Sequence, residues 1–194
     1  MGASKYIMGG LWFHPGAPSA LAITPHSSTF LQNPCLWRTT FPQSVQKYLV
    51  SSGNPSGTVF NSDLELAGTV AHDVIIASTV PVAHLTTLNL YDNNPDVSWC
   101  TKGRTTTTGP TLYLLRVSAL HQRCFRYKPE IFHILGTDNS MAKNCSGLWY
   151  LYDSQLLSYS NLTYTQTACC KMIHLFPKMS FAIISSLKRK WSKP

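Results

Sequence analysis

Eight carboxylates carry all the acidic side-chain chemistry of this sequence: Asp63, Glu65, Asp73, Asp92, Asp96, Glu130, Asp138 and Asp153. Any mechanism built on clustered carboxylates must draw on these eight, whether they move protons or hold a divalent cation through hard oxygen ligands. Two stand out by context. Glu65 falls in the opening turn of a predicted helix, directly after a predicted strand. Asp92 closes the apolar run Thr-Thr-Leu-Asn-Leu-Tyr, and side chains at the carboxyl edge of a strand commonly form a site. Taken singly, each also has a common structural role, as a helix-dipole partner or as a turn residue.

Other side-chain chemistry is sparse. The six cysteines, Cys35, Cys100, Cys124, Cys145, Cys169 and Cys170, form no C-x-x-C pair and have no histidine at zinc spacing. A disulfide framework needs more cysteine per residue, so free thiols in a reducing, intracellular compartment are expected, cytoplasmic or nuclear. His121 and His133 have no paired ligand and read as ordinary polar positions. Trp12, Trp37, Trp99 and Trp149 read as packing residues, because none has basic neighbours at the sequence spacing of a stacking platform.

The charge balance is basic, with 16 Lys+Arg against 8 Asp+Glu and a net charge of +8. Only 12% of residues are charged, well under the roughly 25% of an ordinary soluble domain, while 44% are hydrophobic; this excludes a disordered polyampholyte. Positive charge gathers late, in Lys188, Arg189 and Lys190. Such a cluster contacts phosphate, serves as a nuclear localisation signal, or forms a solvated tail. Arg116, Arg123 and Arg126 are spaced i, i+7 and i+10 in a predicted helix, roughly along one side, as a solvated face or a contact for a nucleic-acid backbone. No apolar run reaches the roughly 18 to 20 residues that span a bilayer, and no small-molecule substrate is indicated.

The elements that must position these residues follow from periodicity. Residues 5–13, 36–41 and 58–61 read as short strands separated by Pro and Gly turns. A helix capped by Ser62 or Asp63 follows, with Leu64, Ala67, Val70, Ala71, Val74 and Ile75 at helical spacing. Residues 86–91 are a compact strand, 95–101 a short helix, and 111–127 a longer helix with Leu112, Leu115, Ala119 and Leu120 on its apolar side. Residues 130–135 then read as a strand and 140–151 as a closing helix. Strands, helix, strand, helices, strand and helix make a mixed α/β sheet with helices packed on it.

The words along this order resemble a known family. Ala3-Ser4-Lys5-Tyr6, Met8-Gly9-Gly10-Leu11-Trp12, Asn61-Ser62-Asp63-Leu64-Glu65-Leu66-Ala67-Gly68, Tyr91-Asp92-Asn93, Ala119-Leu120-His121-Gln122-Arg123 and Asn139-Ser140-Met141-Ala142 resemble, in order and spacing, the ribonuclease H domain that follows reverse transcriptase in retrotransposons. The resemblance implies a mixed sheet of about five strands with flanking helices over residues 1–157, followed by a basic extension over 158–194. Set against the family, the sequence begins inside the first strand.

The resemblance also implies hydrolysis of the RNA strand of an RNA/DNA hybrid by two Mg2+ ions held on four carboxylates. Glu65 and Asp92 match two of those positions. The family's first-strand aspartate falls on Gly2 and its closing-helix aspartate on Lys143, so two of four ligands are replaced, one of them by a fixed cation. Asp63 and Asp138 are not expected to substitute: the first does not share a helical face with Glu65, and the second precedes the helix. The resemblance therefore implies a degenerate, inactive copy that binds Mg2+ weakly at most, with weak RNA/DNA binding through Arg116, Arg123, Arg126, Lys188, Arg189 and Lys190. Two alternatives stand beside it: a residual hybrid nuclease using Glu65 and Asp92 alone, and a non-enzymatic interaction protein reusing the fold.

Overall fold

Ser4 turns the chain immediately after the first two described residues. Its hydroxyl accepts the N–H groups of Tyr6 and Ile7 at 3.4 and 3.2 Å, and its own N–H donates to the Ile7 carbonyl at 2.8 Å. The run of residues 5–13 expected as one strand is therefore shortened at its start, leaving a hairpin of β1 (Gly2–Ala3) and β2 (Ile7–Phe13). The computed structural model describes residues 2–13, 34–106, 108–164 and 169–189.

Within these residues the protein is mixed α/β. β2 pairs antiparallel with β3 (Pro34–Thr40), and β3 pairs parallel with β6 (Lys171–Ile173). β4 (Thr86–Tyr91) and β5 (Lys128–His133) form a separate parallel pair. The strands thus divide between a sheet of four and a sheet of two, where a single sheet of about five was expected. Two-residue β1 is the physical reason on its side of the division, since a strand that short can sustain hardly any ladder on a second edge.

The helices are α1 (Gln43–Gln46), α2 (Asn61–Thr79), α3 (Asn94–Lys102), α4 (Pro110–Phe125), α5 (Ser140–Gly147), α6 (Asp153–Thr163) and α7 (Pro177–Lys188). α2 is buried along nearly its whole length between β2 on one side and α4 and α7 on the other. Its apolar residues therefore run around the helix rather than along one stripe. A buried polar link ties it to β3: Trp37 Nε1–H donates to His72 Nδ1 at 3.0 Å with both side chains buried. Burial pushes His72 down to about 3, so it stays neutral as that acceptor requires.

Three further expectations are corrected. Residues 58–61 form no strand; Val59 makes a single bridge to Leu49, and α2 already begins at Asn61. The buried side of α4 carries Thr111, Leu114, Leu115, Ser118 and His121, while Ala119 and Leu120 are exposed. The helix can bury those polar residues because Thr111 bonds Asp63, Ser118 bonds Gln122 and His121 bonds the Tyr127 hydroxyl. The closing helix ends at Gly147 rather than at 151, and the Arg38 guanidinium takes up the carbonyls of Leu148 and Leu151 beyond it.

Residues 158–194, expected as a basic extension, contribute the rest of α6, then β6 and α7. Ile183, Ile184 and Leu187 of α7 lie in the same hydrophobic cluster as α2 and α4. The six cysteines are all free thiols. Among the described residues no helix is long and apolar enough to cross a membrane.

Candidate functional site

Four elements distant in sequence meet around Asp92. α2 brings Glu65, and its start is set by Asp63, whose carboxylate accepts the Phe60 N–H at 2.8 Å and the Thr111 hydroxyl at 2.6 Å. Asp63 is thus consumed in joining the starts of α2 and α4. Glu65 Oε2 accepts the backbone N–H of Ala3 at 2.9 Å, which pins β1 over the helix. Asp92 follows the last residue of β4.

α5 supplies the fourth position. Lys143 Nζ lies 3.1 Å from Asp92 Oδ2 in an ion pair, with the lysine side chain half exposed and the carboxylate 11% exposed. Gly2 sits against the same helix: a Cβ built on it would lie 3.8 Å from Lys143 Cα and 3.3 Å from Ser146 Oγ. Gly9 is what lets α5 come this close to the sheet, because a Cβ there would fall 2.8 Å from Cys145 Cβ and 2.9 Å from the Trp37 carbonyl oxygen. Gly136 likewise leaves room for the ion pair; a Cβ on it would collide with Lys143 Nζ. The structure therefore brings Gly2, Glu65, Asp92 and Lys143 together, and leaves Asp138 exposed before α5.

Burial raises the Glu65 carboxyl to about 7, reinforced by the Asp92 charge and opposed by the Ala3 N–H and by Lys143. Near neutral pH the site therefore holds one half-protonated carboxyl and one carboxylate already paired with an ammonium. This donor set does not fit a pair of divalent ions. A magnesium site needs anionic oxygens free to turn toward the ion, and here Lys143 holds one of them. Among the described residues no group of three His, Cys, Asp or Glu side chains is placed to hold a metal.

One neighbour was not singled out from sequence. Asp96, in the first turn of α3, is fully buried with neither carboxylate oxygen hydrogen-bonded. Burial raises it to about 9, with Glu65, Asp63 and Asp92 adding to the rise. It is therefore a neutral carboxylic acid at physiological pH. The only signal in the sequence is an acid just after Pro95 at a helix start, which ordinarily marks a dipole partner at the surface.

The predicted nucleic-acid contacts are less unified. Arg116 and Arg189 both stand over the Tyr113 ring, at 5.8 and 5.0 Å from its centroid, and so join α4 to the end of α7. Arg123 is exposed in the last turn of α4, and Lys188 is exposed at the end of α7. Arg126 does not continue the helical line: it is the C-cap residue, in the left-handed region at φ 55°, so the run of three along one side breaks after Arg123. Lys190 lies outside the described residues. His121 is buried against Phe125 and Tyr127, and His133 is exposed on β5.

No family model matches the chain, and neither a curated protein nor a solved structure matches it significantly.

Proposed function

We propose that this chain is a degenerate ribonuclease H-like domain derived from a retrotransposon polyprotein, catalytically inactive, with weak affinity for RNA/DNA hybrids. The observation that carries the reading is the meeting of positions 2, 65, 92 and 143. These are the four places to which the sequence resemblance assigns metal ligands, and they come from four separate elements. On this reading β1 to β5 are the five strands of the family and β6 is an addition. The division into two sheets follows from the shortness of β1, which lies where the two would join.

Inactivity rests on charge. A site that hydrolyses a phosphodiester with two metals must neutralise the scissile phosphate and generate a hydroxide, and it needs four acids to hold the ions. Gly2 supplies no ligand, and the Lys143 ammonium sits on Asp92. A divalent ion about 4 Å from that ammonium would be repelled by roughly 8 kcal/mol at an effective dielectric of 20. The same ammonium weighs against a reduced one-metal nuclease built on Glu65 and Asp92. Arg116 and Arg189 around Tyr113, with Lys188 beside them, are the cationic group this reading assigns to the hybrid backbone.

The test has two arms. Purified protein incubated with an end-labelled RNA/DNA hybrid and Mg2+ is expected to leave the RNA intact; metal-dependent cleavage that disappears in Glu65→Gln would sink the claim of inactivity. The double variant Gly2→Asp/Lys143→Asp is expected to gain Mg2+ or Mn2+ binding by calorimetry, and to lose it again when Glu65→Gln is added. If the double variant folds and takes up no divalent ion, the assignment of the four positions as a ligand set is wrong.

A further inference from the structure

Trp12 and Trp37 are buried and Trp99 packs against the core, as expected of packing residues, but Trp149 is not. It is 48% exposed, its ring centroid is 4.6 Å from that of Tyr6, and Tyr150 meets it edge-on at 6.1 Å. Lys5 Nζ stands 4.7 Å over the Tyr6 ring, and Lys47 Nζ stands 5.0 Å over the ring of Tyr48. Between the two lysines runs an open groove of about 350 Å3, lined among others by Lys5, Tyr6, Gln46, Lys47, Ser51 and Asn54. Tyr6 belongs to both features, so the aromatic surface continues into the groove.

This face is held in place before anything binds. Arg38 donates to the carbonyls of Leu148 and Leu151, at 3.3 and 2.5 Å, and pairs with Asp153 at 2.7 Å, so one guanidinium fixes the segment that bears Trp149 and Tyr150. Ser4, which shapes the Lys5–Tyr6 turn, also donates to the Ser146 carbonyl at 3.2 Å and ties that turn to the end of α5. Asp153 is neutralised by Arg38, and no acid lines the groove. Among the described residues neither Lys5 nor Lys47 is in an ion pair with a carboxylate.

We propose that the Lys5–Tyr6–Trp149 face binds single-stranded nucleic acid, stacking an unpaired base on the exposed Trp149 and Tyr150 rings and seating the adjoining phosphates against Lys5 and Lys47. An exposed indole beside uncompensated ammonium groups matches the two invariant parts of a single strand, a π-face and a phosphate, without requiring a sequence. Single strands are favoured over duplex because the stacking surface needs a base already free of its neighbours. They are favoured over an acidic protein because Leu49 is the single aliphatic side chain lining the groove, which therefore lacks the aliphatic core that a protein interface presents. The groove volume falls in the range that accepts a nucleotide-sized ligand. No residue of the carboxylate site takes part, so the proposal stands or falls independently of the ribonuclease H-like reading.

The test is fluorescence anisotropy of the full chain with a labelled 12-nucleotide oligo(dT), at 50 and 200 mM salt, with tryptophan quenching followed in parallel. Trp149→Ala is expected to weaken binding at least about 5-fold and to remove most of the quenching, while Trp149→Phe keeps most of the affinity. Lys5→Ala/Lys47→Ala is expected to reduce the slope of log affinity against log salt by about 1.4. Lys128→Ala, on β5, removes a lysine remote from this face and is expected to change affinity less than about 2-fold. Melting temperatures within a few degrees of the parent certify that each variant is folded. The proposal is overturned if folded Trp149→Ala and Lys5→Ala/Lys47→Ala bind like the parent, or if Lys128→Ala loses as much as they do. It is equally overturned if a 12-base-pair duplex or poly-glutamate binds as tightly as the single strand.

Discussion

The site around Asp92 and the face around Trp149 hang from the same short helix, yet they are built in opposite ways. α5 delivers Lys143 from its first turn to Asp92, and just beyond its end the chain presents Trp149 to solvent. At Asp92 the charges are spent on one another: a lysine on a carboxylate, a backbone N–H on Glu65, and a proton retained on Asp96. At Trp149 the charges are left over, because the one acid nearby is consumed by Arg38 and the lysines keep only aromatic company. A residue set that looks catalytic in sequence can be electrostatically closed, whereas a set read as packing can be open. What distinguishes them is the number of unpaired groups facing solvent.

Because α5 serves both regions, the largest perturbation should strike both at once. Gly9→Val places branched carbons where Cys145 Cβ and the Trp37 carbonyl already lie within 3 Å of a bare Cβ, so α5 must move off β2. A destabilisation of about 3 kcal/mol or more is expected in urea unfolding, with loss of the Lys143–Asp92 pair and of oligo(dT) binding together. If either region survives unchanged in the folded variant, α5 does not couple them.

The second effect separates the regions by pH. Asp96 ionises near 3.8 unfolded and near 9 folded, so between those values the native state holds a proton that the unfolded chain has released. Stability must then fall as pH rises, by up to about 1.4 kcal/mol per unit. Below about 7 the slope is shared with Glu65 and Asp73, both raised to about 7, and is opposed by His72, lowered to about 3, which favours the folded state as pH rises toward 6.5. From pH 7 to 9 Asp96 dominates. Urea midpoints should drop over that window in both proteins, but by about 2 kcal/mol less in Asp96→Asn, whose remaining fall comes from Glu65, Asp73 and the thiols of Cys35, Cys100 and Cys145, all raised by burial. A flat parent profile would mean that the Asp96 carboxyl finds a partner or water.

These contrasts mark how far sequence reading reached. Residues 86–91 were legible as a strand to the residue, since an apolar run bounded by turn residues has one reading. The start of α2 was legible only nearby: Ser62 or Asp63 was expected as the cap residue, whereas Phe60 is the N-cap and Asp63 accepts its N–H from within the first turn. The burial of Asp96 was not legible, because an acid behind a proline at a helix start looks the same whether α2 covers it or water does. The rotation of α4 was missed for a related reason: Thr111, Ser118 and His121 are core residues only once Asp63, Gln122 and Tyr127 arrive as partners. Trp149 and Tyr6 stand 143 positions apart, and no spacing rule joins them. Only the folding of β1 and α5 onto β2 places one ring beside the other.

Lys143→Met measures how firmly the carboxylate site is closed. The pair has one half-exposed partner, so its loss should cost only about 1 kcal/mol. The electrostatic consequence is more specific: Lys143 holds the Glu65 carboxyl down, so removing it should move the Glu65 midpoint above 7 in a carboxyl-carbon NMR titration. Oligo(dT) binding should be unaffected. A Glu65 midpoint that stays put would show that the ammonium does not screen this carboxyl.

The smallest expected effect on stability is at Trp149. Its ring is about half exposed and rests on Tyr6 rather than in the core, so Trp149→Ala should shift unfolding by less than about 1 kcal/mol, mainly the lost ring contact. The same substitution should have the largest effect on single-strand binding, and that inversion is the signature of a surface kept for contact rather than for folding. Lys143→Met should show the reverse, a measurable cost in stability and none in binding. If Trp149→Ala instead destabilised the fold by several kcal/mol, the aromatic group would be a structural brace, and the contrast between a closed site and an open one would be lost.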